Sequence, residues 1–136
     1  MPQRPSTDPF HSDGGATGVL FVHGFTGSPA SLRDWAERTA AAGHTVALPR
    51  LPGHGTHWRD LARTSWRDWY GCVDAELSEL RRRTERVFVA GLSMGGALGL
   101  MLAQRRPDEV AGLVLVNPAI TAANPSTVPT KFLCMP

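Results

Sequence analysis

Ser93 lies within VFVAGLSMGGALGL, residues 87–100, where an apolar run breaks on Gly91-Leu92-Ser93-Met94-Gly95 and resumes at helical spacing. The pattern G-x-S-x-G, with a strand before it and a helix after it, suits a serine hydroxyl raised above a sheet on a strained turn. Gly91 and Gly95 remove side chains that would collide where strand and helix pass closely, and Gly96 extends that clearance. A helix starting behind the serine also turns backbone N–H groups toward a developing oxyanion. The chemistry these residues suggest is acyl transfer, with Ser93 attacking a carbonyl carbon and the N–H of Met94 holding its oxygen. A second donor is needed, and His23-Gly24-Phe25 closes another apolar run, GVLFVHG. There the N–H of Phe25 is the donor, and Gly24 lets the backbone come close; the His23 side chain has no part in that role.

A serine hydroxyl is a weak nucleophile until a base takes its proton. All five histidines (His11, His23, His44, His54 and His57) precede Ser93, and the acids after it are Asp108 and Glu109. His54 and His57 sit in RLPGHGTHW, a loop by its proline and glycine content. As a rerouted base, either would also need an orienting acid. As metal ligands, two histidines do not make a site, and no metal centre is expected.

The elements that must position these residues follow from apolar periodicity. GVLFVHG reads as a strand buried on both faces, HTVALP as a second buried strand, RVFVAG and GLVLVNP as the third and fourth strands, and PFHS as a short edge strand. Ser28 and Pro29 open a helix that carries Leu32, Trp35, Ala36 and Ala40 on one face and ends at Gly43. A longer helix runs from about Ser65 to Thr84 with Trp69, Val73, Leu77 and Leu80 in one stripe. A third follows Ser93 and stops before Pro107. Strands alternating with helices imply an α/β fold whose sheet is mostly parallel.

Composition sets the outer bounds. A chain of 136 residues with 42% apolar content is a folded domain rather than a disordered segment. A net charge of +2, spread along the chain, gives no footprint for nucleic acid. Arg81-Arg82-Arg83 falls at a predicted helix end, where cations complement the dipole. Cys72 and Cys134 lack metal-ligand spacing and read as free thiols of a reducing compartment. No apolar stretch approaches a membrane span and no leader is visible, so a cytoplasmic location is expected.

In sequence order, VHGFTGSP, LPGHG and GLSMGG resemble the α/β-hydrolase superfamily, and within it bacterial carboxylesterases and monoacylglycerol lipases; the resemblance covers about Thr17 to Ile120. It implies an α/β-hydrolase fold with helices on both faces of the sheet. It implies Ser93 as nucleophile, Phe25 and Met94 as oxyanion donors, and Gly53-His54-Gly55 as a structural turn near the site mouth. The reaction implied is hydrolysis of a small-molecule ester, such as a monoacylglycerol, through an acyl-enzyme and without metal or cofactor. Phe25 is the better acyl-pocket candidate and Trp69 the better core candidate, while Trp58 and Trp66 stay open. Aspartate-nucleophile relatives are disfavoured by the serine at position 93; aminopeptidase-, C–C-hydrolase- and perhydrolase-like relatives are not.

The family orders its triad as Ser, acid, His. On that order, the acid and the His would follow later strands, and they are not present in this chain. The expectation is therefore that residues 1–136 form the N-terminal portion of one hydrolase domain, stopping after the strand near Asn117. Cap and later strands would be absent, apolar faces uncovered, and the chain inactive by itself. The alternatives are a non-catalytic remnant that binds a partner or an apolar ligand, and a half-domain completed by another chain.

Overall fold

The computed structural model describes residues 6–120. Five strands form one sheet: β1 (Phe10–Ser12), β2 (Thr17–Val22), β3 (Thr45–Leu48), β4 (Arg86–Leu92) and β5 (Gly112–Val116). Their order is β1-β3-β2-β4-β5, with β1 antiparallel to β3 and every other pairing parallel. From β2 the chain steps outward to β3, then crosses back to β4 and steps outward the other way to β5. The direction of winding therefore reverses between β2 and β4. Such a switch point opens a crevice at the carboxyl ends of its two strands, the place where ligands bind in open α/β sheets.

Alternate residues of the strands feed two cores. Leu20, Val22, Val87 and Val89 face α3 (Trp66–Arg83) and α4 (Met94–Arg105), which contribute Val73, Leu77, Leu80, Leu98 and Leu102. Phe21, Val46, Leu48 and Ala90 face α1 (Arg33–Ala41), which contributes Ala36. Full burial of each such leucine or valine is worth about 1.5–3 kcal/mol.

The two faces are covered unequally. Beside α1, a groove of about 560 Å³ runs along Val19, Phe88 and Val114 toward the amino ends of the strands. Val114 and Val116 on β5 are exposed. Among the described residues no helix lies over this part of the sheet, in line with the expected uncovered apolar face.

Helix boundaries differ from expectation at two places. Ser28 does cap a turn, accepting from Ala30 N–H at 3.3 Å, but the turn is a 3-10 segment over Pro29–Ser31 and α1 starts only at Arg33. Where the expected loop ends, and before α3, there is a short helix, α2 (Trp58–Ala62). His57 caps it by accepting from Arg59 N–H at 3.2 Å, and Asp60 reaches back to the His57 N–H at 3.3 Å. This is the reciprocal capping logic, with an imidazole in the place of a hydroxyl.

The α3 helix begins with Asp68 accepting from Ser65 N–H at 2.8 Å. Its arginine run is occupied locally: Arg82 pairs with Glu79 at 2.9 Å, and Arg83 pairs with Asp13 and Glu79. Gly71, in the middle of α3, has open space where a Cβ would stand. Gly71→Ala is expected to raise stability by about 0.5–1 kcal/mol, because alanine restricts the unfolded chain and favours the helix. A urea midpoint equal to or below that of the parent would refute this.

Candidate active site

Register places the candidate residues together. Val22 of β2 pairs with Gly91 of β4, so the residues that follow each strand, His23-Gly24-Phe25 and Leu92-Ser93-Met94, emerge side by side at the switch point. A Cβ on Gly24 would stand 3.4 Å from the Ser93 Cβ and 3.9 Å from its Oγ. At this position glycine is what lets the two loops touch.

Ser93 has φ 55° and ψ −118°. A non-glycine residue there stores about 1–3 kcal/mol, and it persists only where its surroundings hold it. The Ser93 N–H donates to Val116 O at 2.9 Å, and its carbonyl accepts from Gly96 N (2.9 Å), Ala97 N (3.3 Å) and Ala119 N (3.0 Å). The end of β5 and the start of α4 thus clamp the serine from opposite sides. Two more non-glycine residues with positive φ, Thr26 (60°) and Asn117 (46°), follow β2 and β5. Backbone strain is gathered at the carboxyl rim of β2, β4 and β5.

Two close approaches build the turn. A Cβ on Gly91 would lie 2.5 Å from the Gly95 carbonyl oxygen, and a Cβ on Gly95 would lie 2.0 Å from the Val22 carbonyl oxygen. Strand β4, helix α4 and strand β2 therefore interlock through these two glycines. Met94 is the first residue of α4, and its N–H has no carbonyl within the helix to bond. Phe25 follows Gly24 in a turn closed by Gly27 N–H donating to Gly24 O at 3.1 Å. Among the described residues nothing accepts from the Phe25 N–H.

His23 is fully buried, and both ring nitrogens are engaged. Nδ1–H donates to Gly24 O at 3.0 Å, and Nε2 accepts from Leu51 N–H at 3.1 Å. The ring braces the 24–27 turn against the loop after β3. Burial lowers its pKa from near 6.5 to about 4; the Gly24 bond opposes that shift and the nearby His54 adds to it. With Nε2 already accepting, this side chain has no free lone pair for a proton from Ser93.

His54 is also buried, with Nδ1 on Pro52 O at 3.0 Å and no partner for Nε2 among the described residues. Its ring stands edge-on to His23 (5.1 Å between centroids), Trp69 (5.3 Å) and Phe25 (6.0 Å). Trp69 is half-buried against the core, as expected. It also donates its indole N–H to Pro52 O and Thr64 Oγ1, and its ring meets Phe25 at 5.6 Å. Nothing in the sequence pattern marks this aromatic cluster, because its members come from three separate loops and helices.

The remaining candidates lie apart. His57 is exposed and caps α2; His11 pairs with Glu76 at 3.0 Å on the outer strand. Asp108 and Glu109 precede β5, where Ala111 N–H bonds Val87 O at the amino end of β4. Ser93 is six residues further along, about 20 Å away at roughly 3.3 Å per residue. Glu109 is bound to Arg106, which also reaches Asp74 at 3.0 Å. Among the described residues no imidazole or carboxylate bonds the Ser93 hydroxyl, and no cluster of His, Cys, Asp and Glu is placed to hold a metal. The Cys72 thiol is pushed up to about 11 by burial and then by Glu76, so it is no rival nucleophile at neutral pH. Cys134 lies outside the described residues. No helix among the described residues is long and apolar enough to cross a membrane.

Comparison with known proteins agrees with the fold. The chain is 49% identical over 119 residues to the thermostable monoacylglycerol lipase of Bacillus sp. (strain H-257), covering 88% of this chain and 47% of that protein. It is 34% identical over 107 residues to a carboxylesterase of Bacillus subtilis (strain 168), covering 78% of this chain and 43% of that one. A solved structure from work on LipS and LipT, two metagenome-derived lipolytic enzymes, superposes with a TM-score of 0.84 at 43% identity, covering 90% of this chain and 50% of that one. The chain thus spans about half the length of the relatives it matches. The sequence profile of the alpha/beta hydrolase family matches residues 19–134, and the chain belongs to that family.

Proposed function

We propose that this chain carries the nucleophile half of a serine ester hydrolase, with Ser93 as nucleophile and the N–H groups of Phe25 and Met94 as oxyanion donors. The observation that carries the reading is the meeting of Gly24 with a strained Ser93 at the switch point of the sheet. Residues 1–136 serve as the N-terminal portion of one hydrolase domain. The substrate class is a carboxylic ester with a small to medium acyl chain, a monoacylglycerol among them. Support for that class is the likeness to a monoacylglycerol lipase and a carboxylesterase.

In the proposed reaction, Ser93 Oγ bonds to the ester carbonyl carbon and its proton passes to an imidazole. The carbonyl oxygen, now an oxyanion, is held by the two N–H groups. Collapse expels the alcohol, which takes up that proton, and water then cleaves the acyl-enzyme. Neither the imidazole nor its orienting acid is among the described residues at the site. Residues 1–5 and 121–136 contain no His, Asp or Glu, so both groups come from sequence outside these 136 residues or from a second chain. Clamping of Ser93 by Val116, Gly96, Ala97 and Ala119 keeps the hydroxyl raised without them.

The test is fluorophosphonate labelling in a lysate of the source cell, followed by identification of the modified peptide and the intact mass. The expected result is a label on Ser93 in a species heavier than 14.7 kDa, or at 14.7 kDa only in the presence of a second chain. Ser93→Ala should remove the label completely. Detection of the Ser93 peptide without label in every species would overturn the assignment. Labelling of the purified 136-residue chain would overturn the need for an outside base.

A further inference from the structure

The segment joining β3 to α3 and the first turn of α3 carry one exposed tryptophan each. Trp58 is 67% exposed and Trp66 40%, and Phe25 on the adjoining turn is 55% exposed. The site as proposed uses the Phe25 backbone, and it uses neither tryptophan. Trp58 forgoes most of its burial free energy and Trp66 a substantial part, and two such rings within nine residues mark a surface with an occupant.

Cations surround them. The Arg59 guanidinium lies 5.4 Å from the Trp58 ring centroid, and that of Arg67 lies 4.9 Å from Trp66. Arg59, Arg63 and Arg67 are all exposed and form no ion pair among the described residues. The two acids beside them, Asp60 and Asp68, are exposed as well, but both carboxylates are engaged as helix caps. Asp60 accepts from Thr56 Oγ1 (2.8 Å) and His57 N–H (3.3 Å), and Asp68 accepts from the Ser65 N–H and hydroxyl. Each carboxylate also sits at a helix start, where the dipole offsets its charge. Three free arginines against these two hydrogen-bonded carboxylates leave residues 57–68 with a net charge of +1.

Exposed tryptophans interleaved with arginines are the chemistry of a lipid–water interface: the rings settle at headgroup depth and the guanidinium groups pair with phosphates. Charge selects the occupant: an anionic surface is met by free arginines and exposed rings alone. We propose that residues 57–67 dock the chain on an anionic phospholipid surface, with Trp58 and Trp66 inserted and Arg59, Arg63 and Arg67 on the headgroups. Gly53 lies against the Asp60–Leu61 backbone, and Trp69 ties the segment to Phe25. Docking therefore sets the rim that bears Ser93 beside the lipid. It does not depend on the hydrolysis reading, since attachment needs no turnover.

The experiment is flotation of the 136-residue chain with vesicles of pure phosphatidylcholine or of phosphatidylcholine with 30% phosphatidylglycerol, about that fraction sufficing to make the surface anionic. Aggregated protein pellets and cannot float. Expected are flotation on the anionic vesicles, a blue shift of tryptophan emission, and at least roughly tenfold weaker partition on the neutral ones or at 0.5 M salt, about where screening is strong. Reversing the three arginines (R59E/R63E/R67E) should weaken binding roughly 100-fold, each cation near a surface counting for about a factor of five. W58S/W66S should weaken it roughly tenfold or more, and V114S/V116S, on the far open strand, should leave it unchanged. No flotation on anionic vesicles, equal flotation on neutral ones, or dependence on Val114 and Val116 in place of the tryptophans would overturn the proposal.

Discussion

Gly95→Ala is expected to cost the fold more than about 3 kcal/mol, near the upper end of what overpacking does. The added carbon would sit 2.0 Å from the Val22 carbonyl oxygen and 2.6 Å from that of His23, both backbone atoms that no rotamer change can move. Carbon and oxygen in ordinary contact stay roughly 3.3 Å apart or more, so α4 must shift from β2 by more than about 1 Å. That shift cannot be local. Gly95 O is the atom that faces Gly91, and Ser93 lies between the two glycines. Movement of α4 therefore pulls on the clamp that holds Ser93 at φ 55°. The same substitution should abolish fluorophosphonate labelling at Ser93 wherever the parent sequence shows it. Gly71→Ala supplies the matched control, the same chemical change made where nothing lies within 4 Å. Urea unfolding followed by circular dichroism compares the two, and a Gly95→Ala midpoint within about 1 kcal/mol of the parent would refute the account.

The contrast between these two glycines shows what a sequence can and cannot reveal. Gly91 and Gly95 stand at fixed offsets from a serine between an apolar run and a helical pattern, and that context alone predicts a close crossing. Strands β2 to β4 are legible because a strand buried on both faces must be apolar at nearly every position, and β5 is legible by the same apolar run although its outer face is open. The capped start of α3 is legible because Ser65 and Asp68 make a local bond whatever the rest of the chain does. What stays hidden depends on partners distant in sequence or on an unusual residue in a familiar role. The α2 helix escapes notice because its cap is His57, a residue type outside the usual capping set. His23 looks like a loop histidine until β2 and β3 align, and only then does its Nε2 meet the N–H of Leu51, 28 residues away. The aromatic cluster of Phe25, His54 and Trp69 has the same origin. Local chemistry can be read directly, while the bracing of the site arises from the topology.

Strain and bracing also explain why the switch point can wait for its chemistry. Among the described residues, the three non-glycine residues with positive φ, Thr26, Ser93 and Asn117, each follow a parallel strand, and each would relax if its strand end moved. The β4–β5 ladder fixes two of them through the bond from Ser93 N–H to Val116 O. His23 holds the turn that bears the third. On the proposed reading, a site built this way would hold its donors and hydroxyl in position before any base arrives, as electrostatic preorganisation requires.

Because His23 is part of that bracing, stability should fall in acid with a slope that one substitution removes. Folded His23 titrates near 4 and its unfolded counterpart near 6.5. Between those values the unfolded chain binds more protons than the folded one, so stability rises with pH across the window. The contribution is fully present above about pH 6.5, declines as pH falls toward 4, and is gone below it; in all it amounts to about 3 kcal/mol. The structural reason is specific. A proton on Nε2 would set two donors, the ring N–H and the Leu51 N–H, 3.1 Å apart inside the core, with water excluded. His23→Gln keeps an acceptor that can reach Leu51 but has nothing to titrate. Urea midpoints at intervals from pH 4.5 to 7 should climb for the parent and stay nearly flat for His23→Gln once other groups are subtracted by the comparison. Parallel curves for the two proteins would mean that the acid sensitivity lies elsewhere and that the buried ring does not join the Gly24 turn to the Leu51 loop as its hydrogen bonds indicate.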